Sequence, residues 1–224
     1  IGGVETVILN QISAFTRKGY NVYVMAGKGI YSNKIEELGG KFIEFDFPEE
    51  NTIDEEKINK IVDIIKKNQI TEIHIHKYQC IPSVMPAALI TGIPYFAYEH
   101  TVWDTKKYYT WNYPIYRSLF LIYFKNAYKI IAITPKTAEI TQKEWIPQEK
   151  YQIVHNGIDL ELYKNNNIKD NRNMENIVIV SRMNDEKIST ILSGIDIFKN
   201  ILKNNNEAKL NIIGDGNKMK NVEE

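Results

Sequence analysis

The apolar residues of this chain follow two rhythms that alternate along its length. Val4, Val7, Ile8, Ile12 and Phe15 recur every three or four positions, which predicts a helix that Gly19 ends. Residues 21–26 then predict a strand, Gly27 and Gly29 a loop, and residues 41–47 the next strand. Asp54 stands at an N-cap position ahead of the stripe Ile58, Ile61, Val62 and Ile65, which predicts an amphipathic helix. A strand over 70–76, a helix over 81–90 and a strand over 93–98 continue the alternation. Pro114 opens an aromatic helix that runs to about Asn126. A strand over 129–134, a helix from Pro135 and a short strand over 151–155 follow. Strands separated by crossover helices imply a parallel sheet covered on both faces, so the expected class is α/β.

A polar, asparagine-rich stretch interrupts this pattern, and residues 164–174 within it are expected to link two domains, 1–163 and 175–224. Beyond it lie two more short apolar strands, 175–182 and 209–216, with one helix between them. Both strands end abruptly in polar or glycine residues. In an open parallel sheet, ligands bind beyond the carboxyl ends of the strands. Arg182 and Lys187 therefore stand where an anion would sit, a planar fork beside a mobile point charge. The competing reading is a pair of solvated surface charges.

Composition narrows the function classes. The 224 residues carry 28 basic and 28 acidic side chains. That balance gives no electrostatic basis for nucleic-acid binding. The single cysteine, Cys80, excludes a disulfide framework and reads as packing rather than nucleophile. The longest apolar run, 119–124, is bracketed by Arg117 and Lys125 and is far too short to span a membrane. With no leader pattern either, the expected compartment is the cytoplasm. Lys106, Lys107, Tyr108, Tyr109, Trp111 and Tyr113 interleave charge with aromatics, so peripheral contact with the inner membrane face is weighed there against simple core packing.

Several further residues invite a chemical reading. Gly2 and Gly3 precede a helix start, where backbone amides attract anions, although a tight turn explains them equally well. There is no G-x-G-x-x-G after a strand and no P-loop, which argues against a dinucleotide enzyme and an ATPase. His74 and His76 alternate on one strand face beside Glu72, but two histidines with no third ligand make a weak metal site. His76, nearest the carboxyl end, is the better pocket candidate. His100 closes the strand over 93–98, with Glu99 expected on the opposite face. Thr134 reads as an N-cap, and Asn156, Gly157, Ile158 and Asp159 as a turn.

Five segments, in order, give the chain a resemblance to the retaining GT-B glycosyltransferases of family 4, also called glycosyl transferases group 1. They are Gly2 to Glu5; Tyr98, Glu99 and His100; Val154 to Asp159; Arg182 with Lys187; and Gly214, Asp215 and Gly216. The resemblance implies two Rossmann-like domains facing a cleft, the first taking the acceptor and the second the nucleotide sugar. It implies sugar transfer from a nucleoside diphosphate donor, expected to be UDP-linked, to a saccharide or lipid-linked acceptor. Gly2, Gly3, Arg182, Lys187, Gly214, Asp215 and Gly216 would bind the donor. His100, Arg182 and Lys187 would serve catalysis, with His100 positioning the sugar or the acceptor hydroxyl. His76, Thr134 and Asn156 would lie on the acceptor side or in the cleft, Asn156 leading towards a hinge.

No cofactor is expected. The chain has no D-x-D triplet to hold a divalent cation on a diphosphate, so the two cations would stabilise the leaving group without metal. One departure stands out: Ile188 follows Lys187 where the family has glycine. The resemblance also places a strand upstream of Gly2 and a pair of glutamates downstream of Gly216, so the chain is expected to be a piece that is inactive alone. A non-catalytic saccharide-binding module and a sugar-nucleotide epimerase of the same architecture are the alternatives.

Overall fold

The computed structural model describes residues 2–48, 52–101, 113–142, 147–164 and 176–223. The chain divides into two compact units, Ile1–Leu162 and Tyr163–Glu224.

In the first unit, helix α1 (Gly3–Arg17) leads through Gly19, at φ +86°, into strand β1 (Tyr23–Ala26). A short helix α2 (Ser32–Glu37) precedes β2 (Lys41–Glu44), which pairs in parallel with β1. The apolar pattern gave no sign of α2. It is six residues long and buries only Ile35, too little for a periodicity to register. Helix α3 (Glu55–Lys67) begins where Asp54 accepts the Lys57 amide at 3.1 Å and buries the predicted stripe Ile58, Ile61, Val62 and Ile65.

Strands β3 (Ile73–Ile75), β4 (Tyr95–Glu99), β5 (Lys129–Ala132) and β6 (Tyr151–Ile153) then form a four-stranded parallel sheet in that order. Helices α4 (Ile81–Thr91), α5 (Tyr113–Asn126) and α6 (Pro135–Gln142) connect them. Helix α4 is apolar on nearly every side and is correspondingly buried, from Ile81 through Met85 and again at Ala87 and Ala88. It ends at Gly92 in the left-handed conformation, φ +70°.

Every strand is shorter than predicted, and among the described residues β1–β2 and β3–β6 are separate sheets rather than one. Strand pairing is a non-local property, so the alternation of elements could set strand direction but not continuity.

The main core lies on one face of β3–β6. Ile75, Tyr95, Ala97 and Ile130 meet the stripe of α3, the inward residues of α4, and Tyr123 and Phe124 of α5. Tyr95 and Tyr123 stack at 5.4 Å, and the Tyr95 hydroxyl donates to the Tyr123 carbonyl. Register puts Glu99 on this same face, opposite Ala132, and it is fully buried there. The other face carries His74, Phe96, Tyr98 and Ile131, with His76 and His100 continuing the two strands.

The second unit holds β7 (Asn176–Val180) and β8 (Lys209–Ile213), parallel and joined by helix α7 (Ile188–Leu202), with a last short helix α8 (Lys220–Glu223). Helix α7 packs on the face of Ile179, so closely at Gly194 that a β-carbon there would lie 2.7 Å from the Ile179 Cδ1. The opposite sheet face exposes Val178, Val180 and Ile213. Among its described residues, the unit buries only Met183, Ile191 and Ala208 as apolar core.

Candidate functional site

Two groups of candidate residues emerge, one in each unit. In the first, the parallel register sets His74 beside Phe96. Because side chains alternate along a strand, His76 and Tyr98 then share that face, and His100 follows. The rings form a continuous stack. His74 and Tyr98 lie 5.5 Å apart, Tyr98 and His76 4.1 Å, and His76 and His100 5.2 Å, with planes within 28° of parallel.

Hydrogen bonds fix the stack. Nδ1 of His76 meets Nε2 of His100 at 2.9 Å. Nδ1 of His74 meets the Tyr98 hydroxyl at 3.0 Å, and its Nε2 meets Glu72 at 3.2 Å. The Tyr98 hydroxyl also bonds the Gln11 side chain of α1, and Phe15 packs edge-on against His74.

Burial disfavours the charged imidazole throughout this stack. It pulls His76 down to about 3, the neighbouring His100 and His74 rings adding to the effect. It lowers His100 and His74 as well, although Glu72 opposes the shift at His74. At neutral pH the His76–His100 pair is therefore uncharged.

Lys77 and Glu5 frame the end of this face. Lys77 Nζ lies 2.9 Å from one Glu5 oxygen, and that hydrogen bond holds the carboxyl below its usual range. The other oxygen accepts the Gly2 amide at 3.0 Å. The N-terminus of α1 is thus closed by the chain's own carboxylate through a capping box. At Gly3 a β-carbon would meet nothing within 4 Å.

Thr134 caps α6 reciprocally with Thr137: its Oγ1 accepts the Thr137 amide at 3.2 Å, and the Thr137 Oγ1 accepts the Thr134 amide at 3.1 Å. Such a cap stabilises a helix by about 1 kcal/mol. The turn containing Asn156 is pinned to α1. The Gly157 carbonyl accepts Asn10 Nδ2 at 3.1 Å, and Asp159 pairs with Arg17 at 3.3 Å. Both segments have structural work of their own. Cys80 is partly buried, with its thiol pushed up to about 11, as a packing residue should be.

The second group lies at the carboxyl end of β7. Arg182 is exposed two residues past the strand, and Lys187 is the N-cap of α7. Asn184 builds that helix start: its carbonyl accepts the Lys187 and Ile188 amides at 3.0 and 2.9 Å, and its side chain accepts the Lys187 amide at 3.2 Å. Among the described residues neither Arg182 nor Lys187 has an acidic partner, whereas the nearby Asp185 is taken by Lys218 at 3.0 Å. Among the described residues, two cations without an acidic partner, one just past a strand and one at the N-cap of a 15-residue helix, are suited to an anion.

Gly214, Asp215 and Gly216 run beside this loop and extend the parallel ladder past both strands. The Ser181 amide donates to the Ile213 carbonyl at 3.0 Å, and the Met183 amide to the Asp215 carbonyl at 2.9 Å. A β-carbon on Gly214 would fall 1.8 Å from the Ser181 carbonyl oxygen, and one on Gly216, at φ +152°, 2.2 Å from that of Met183. These glycines let two backbones touch.

Sequence reasoning singled out the histidines but missed their pairing and its support by Tyr98, and it missed the Lys77–Glu5 pair and Asn184 at the start of α7. The signal available was the matching alternation of His74 and His76 with Phe96, Tyr98 and His100. Among the described residues no three His, Cys, Asp or Glu side chains converge on a metal position, and no helix is long and apolar enough to cross a membrane. Lys106 to Trp111 lie outside the described residues, as does the side chain of Tyr113, and so does most of the expected linker.

Comparison with known proteins brings these observations together. The model of Glycosyltransferase Family 4 matches residues 1–162. No curated protein matches the chain. Among solved structures, the chain is similar to HepE of Anabaena in complex with UDP and glucose, at 15% identity and TM-score 0.64, over 97% of this chain and 67% of that one. It is similar to a glycosyltransferase of Rickettsia africae at 16% identity and TM-score 0.65, over 99% and 67%. It is also similar to a putative UDP-N-acetylglucosamine 2-epimerase of Listeria monocytogenes at 13% identity and TM-score 0.57, over 95% and 60%. The fold is α/β of the GT-B type, built from Rossmann-like units.

Proposed function

Since the chain belongs to glycosyltransferase family 4, we propose that the whole protein transfers a hexose or related sugar from UDP to a hydroxyl of a saccharide or lipid-linked acceptor, with retention at the anomeric carbon. One observation carries the reading. Arg182 and Lys187 stand unpaired among the described residues where β7 hands over to the N-terminus of α7. A diphosphate there would meet a planar fork, a point charge and a helix N-terminus. The UDP reported with HepE supports that choice of donor.

In the proposed reaction the bond from the anomeric carbon to the diphosphate oxygen breaks, and the acceptor oxygen bonds to the same face of that carbon. The acceptor's proton passes to the departing phosphate. Arg182 and Lys187 stabilise the charge that develops on that phosphate, so no metal is needed. His100 positions the sugar or the acceptor hydroxyl, and Gly2 and Gly3 contribute backbone to donor binding. The activity belongs to polysaccharide assembly in the cytoplasm, at the membrane's inner face where the acceptor is lipid-linked. Residues 1–224 alone are inactive in this scheme, because the described residues of the second unit bury little apolar surface to fix the two cations.

The test is titration calorimetry of UDP with the whole protein. Arg182→Ala and Lys187→Ala should each weaken binding by about 1.5–3 kcal/mol, the worth of one charge-assisted contact. Unchanged affinity in both variants would refute the assignment. The likeness to the Listeria protein supports a second reading, sugar-nucleotide epimerisation. Product analysis separates the two, since transfer releases UDP and epimerisation returns a sugar still joined to it.

A further inference from the structure

The hydrogen bond between His76 and His100 has a chemical consequence that neither ring has alone. Their facing nitrogens, Nδ1 of His76 and Nε2 of His100, are 2.9 Å apart. A hydrogen bond at that distance needs one donor and one acceptor, so one proton lies between the two rings. Both rings are neutral at physiological pH, so each holds a single N–H. The tautomer of one ring therefore dictates that of the other.

Two arrangements satisfy the count. In one, His100 donates from Nε2 and both rings carry their proton on Nε2. In the other, His76 donates from Nδ1 and both rings carry it on Nδ1. Neutral histidine in water favours the Nε2 proton, so the first arrangement asks nothing unusual of either ring. It leaves Nδ1 of His100 as a bare lone pair, and among the described residues that nitrogen has no hydrogen-bond partner.

We propose that His76 is a positioning residue that holds His100 in the Nε2–H tautomer, so that Nδ1 of His100 accepts a hydrogen bond from a hydroxyl of the sugar or acceptor. The inference rests on the transferase reading for its ligand, though not for the pairing itself. Packing supports the role. His76 is stacked on Tyr98, which is itself fixed by His74 and Gln11, so the ring has little freedom to turn. The charged groups facing this stack are Glu72 below His74 and the Lys77–Glu5 pair beside its upper end. Glu5 is already satisfied by Lys77 and Gly2, so it offers no competing acceptor.

The experiment uses the whole protein with ¹⁵N-labelled histidine. Long-range ¹H–¹⁵N correlation should show His100 protonated on Nε2 and bare on Nδ1, and His76→Phe should turn this into a mixture. The same variant keeps the aromatic stack, so kcat should fall about tenfold or more while UDP affinity holds. His76→Asn, whose side-chain oxygen can accept in place of Nδ1, should recover most of the loss and restore the single tautomer. A wild-type His100 protonated on Nδ1, or a His76→Phe variant with unchanged tautomer and kcat, would overturn the proposal. If the whole protein transfers no sugar, the transferase reading fails, and the nitrogen signals still decide the pairing.

Discussion

Replacing Gly214 with alanine separates two explanations of the Gly-Asp-Gly turn, room for a nucleotide or room for the chain itself. The new β-carbon would lie 1.8 Å from the Ser181 carbonyl oxygen and 3.0 Å from its carbonyl carbon. Carbon and oxygen tolerate no closer approach than about 3.3 Å, so the two backbones must part by roughly 1.5 Å. Two ladder bonds span that line, Ser181 to Ile213 at 3.0 Å and Met183 to Asp215 at 2.9 Å. Opened by that much, neither survives. Losing them at about 0.5–1.5 kcal/mol each, together with about 1–3 kcal/mol for overpacking, comes to about 2–6 kcal/mol. A unit of about 60 residues is stable by roughly 3–9 kcal/mol in all. The substitution should therefore remove much of the second unit's stability and leave the first unit alone.

Hydrogen exchange read by mass spectrometry in the whole protein is the suitable assay. Amides of β7 and β8 should lose protection, while those of β4 and β5 keep theirs. Gly3→Ala serves as the control: a β-carbon there has open space and should leave melting unchanged. Intact protection of β7 and β8 alongside a sharp loss of UDP affinity would refute the reasoning and assign the glycine to the ligand.

Three further outcomes follow from the same geometry. Folded His76 titrates near 3 and the unfolded side chain near 6.5, so between those values the unfolded state binds the extra proton. The stability due to this ring is full above about 6.5 and is lost as pH falls towards 3, up to on the order of 5 kcal/mol. Urea melts from about pH 7 to pH 4 should show the decline, and a His76→Phe variant with the same slope would contradict it. Turnover of the whole protein should survive excess EDTA, and loss that manganese or magnesium restores would show that metal takes part. His100→Ala should cut turnover far more than UDP affinity and lower the melting temperature only slightly, through the lost bond to His76, since the ring sits at a strand end outside the main core; a large drop in melting temperature would instead assign it a packing role.

Local pattern determined a good deal of this protein. The spacing of Ile58, Ile61, Val62 and Ile65 made α3 and chose its buried face, because helical periodicity is written within a few residues. Asp54 and Thr134 declared themselves as caps, since a cap needs only the amides just beyond it. Arg182 and Lys187 were legible as cations at a strand end and a helix start because both are local features. What depends on two distant segments meeting was decided only in three dimensions. The His76–His100 bond joins residues 24 positions apart and exists because β3 and β4 pair in one register rather than the next. A slip of one residue would turn one strand's side chains to the other face and break the pair. The need for Gly214 and Gly216 likewise comes from the backbone at Ser181 and Met183, across a crossover helix. The division of the first unit into two sheets has the same origin, since strand direction is implied by the alternation of elements and strand partnership is not.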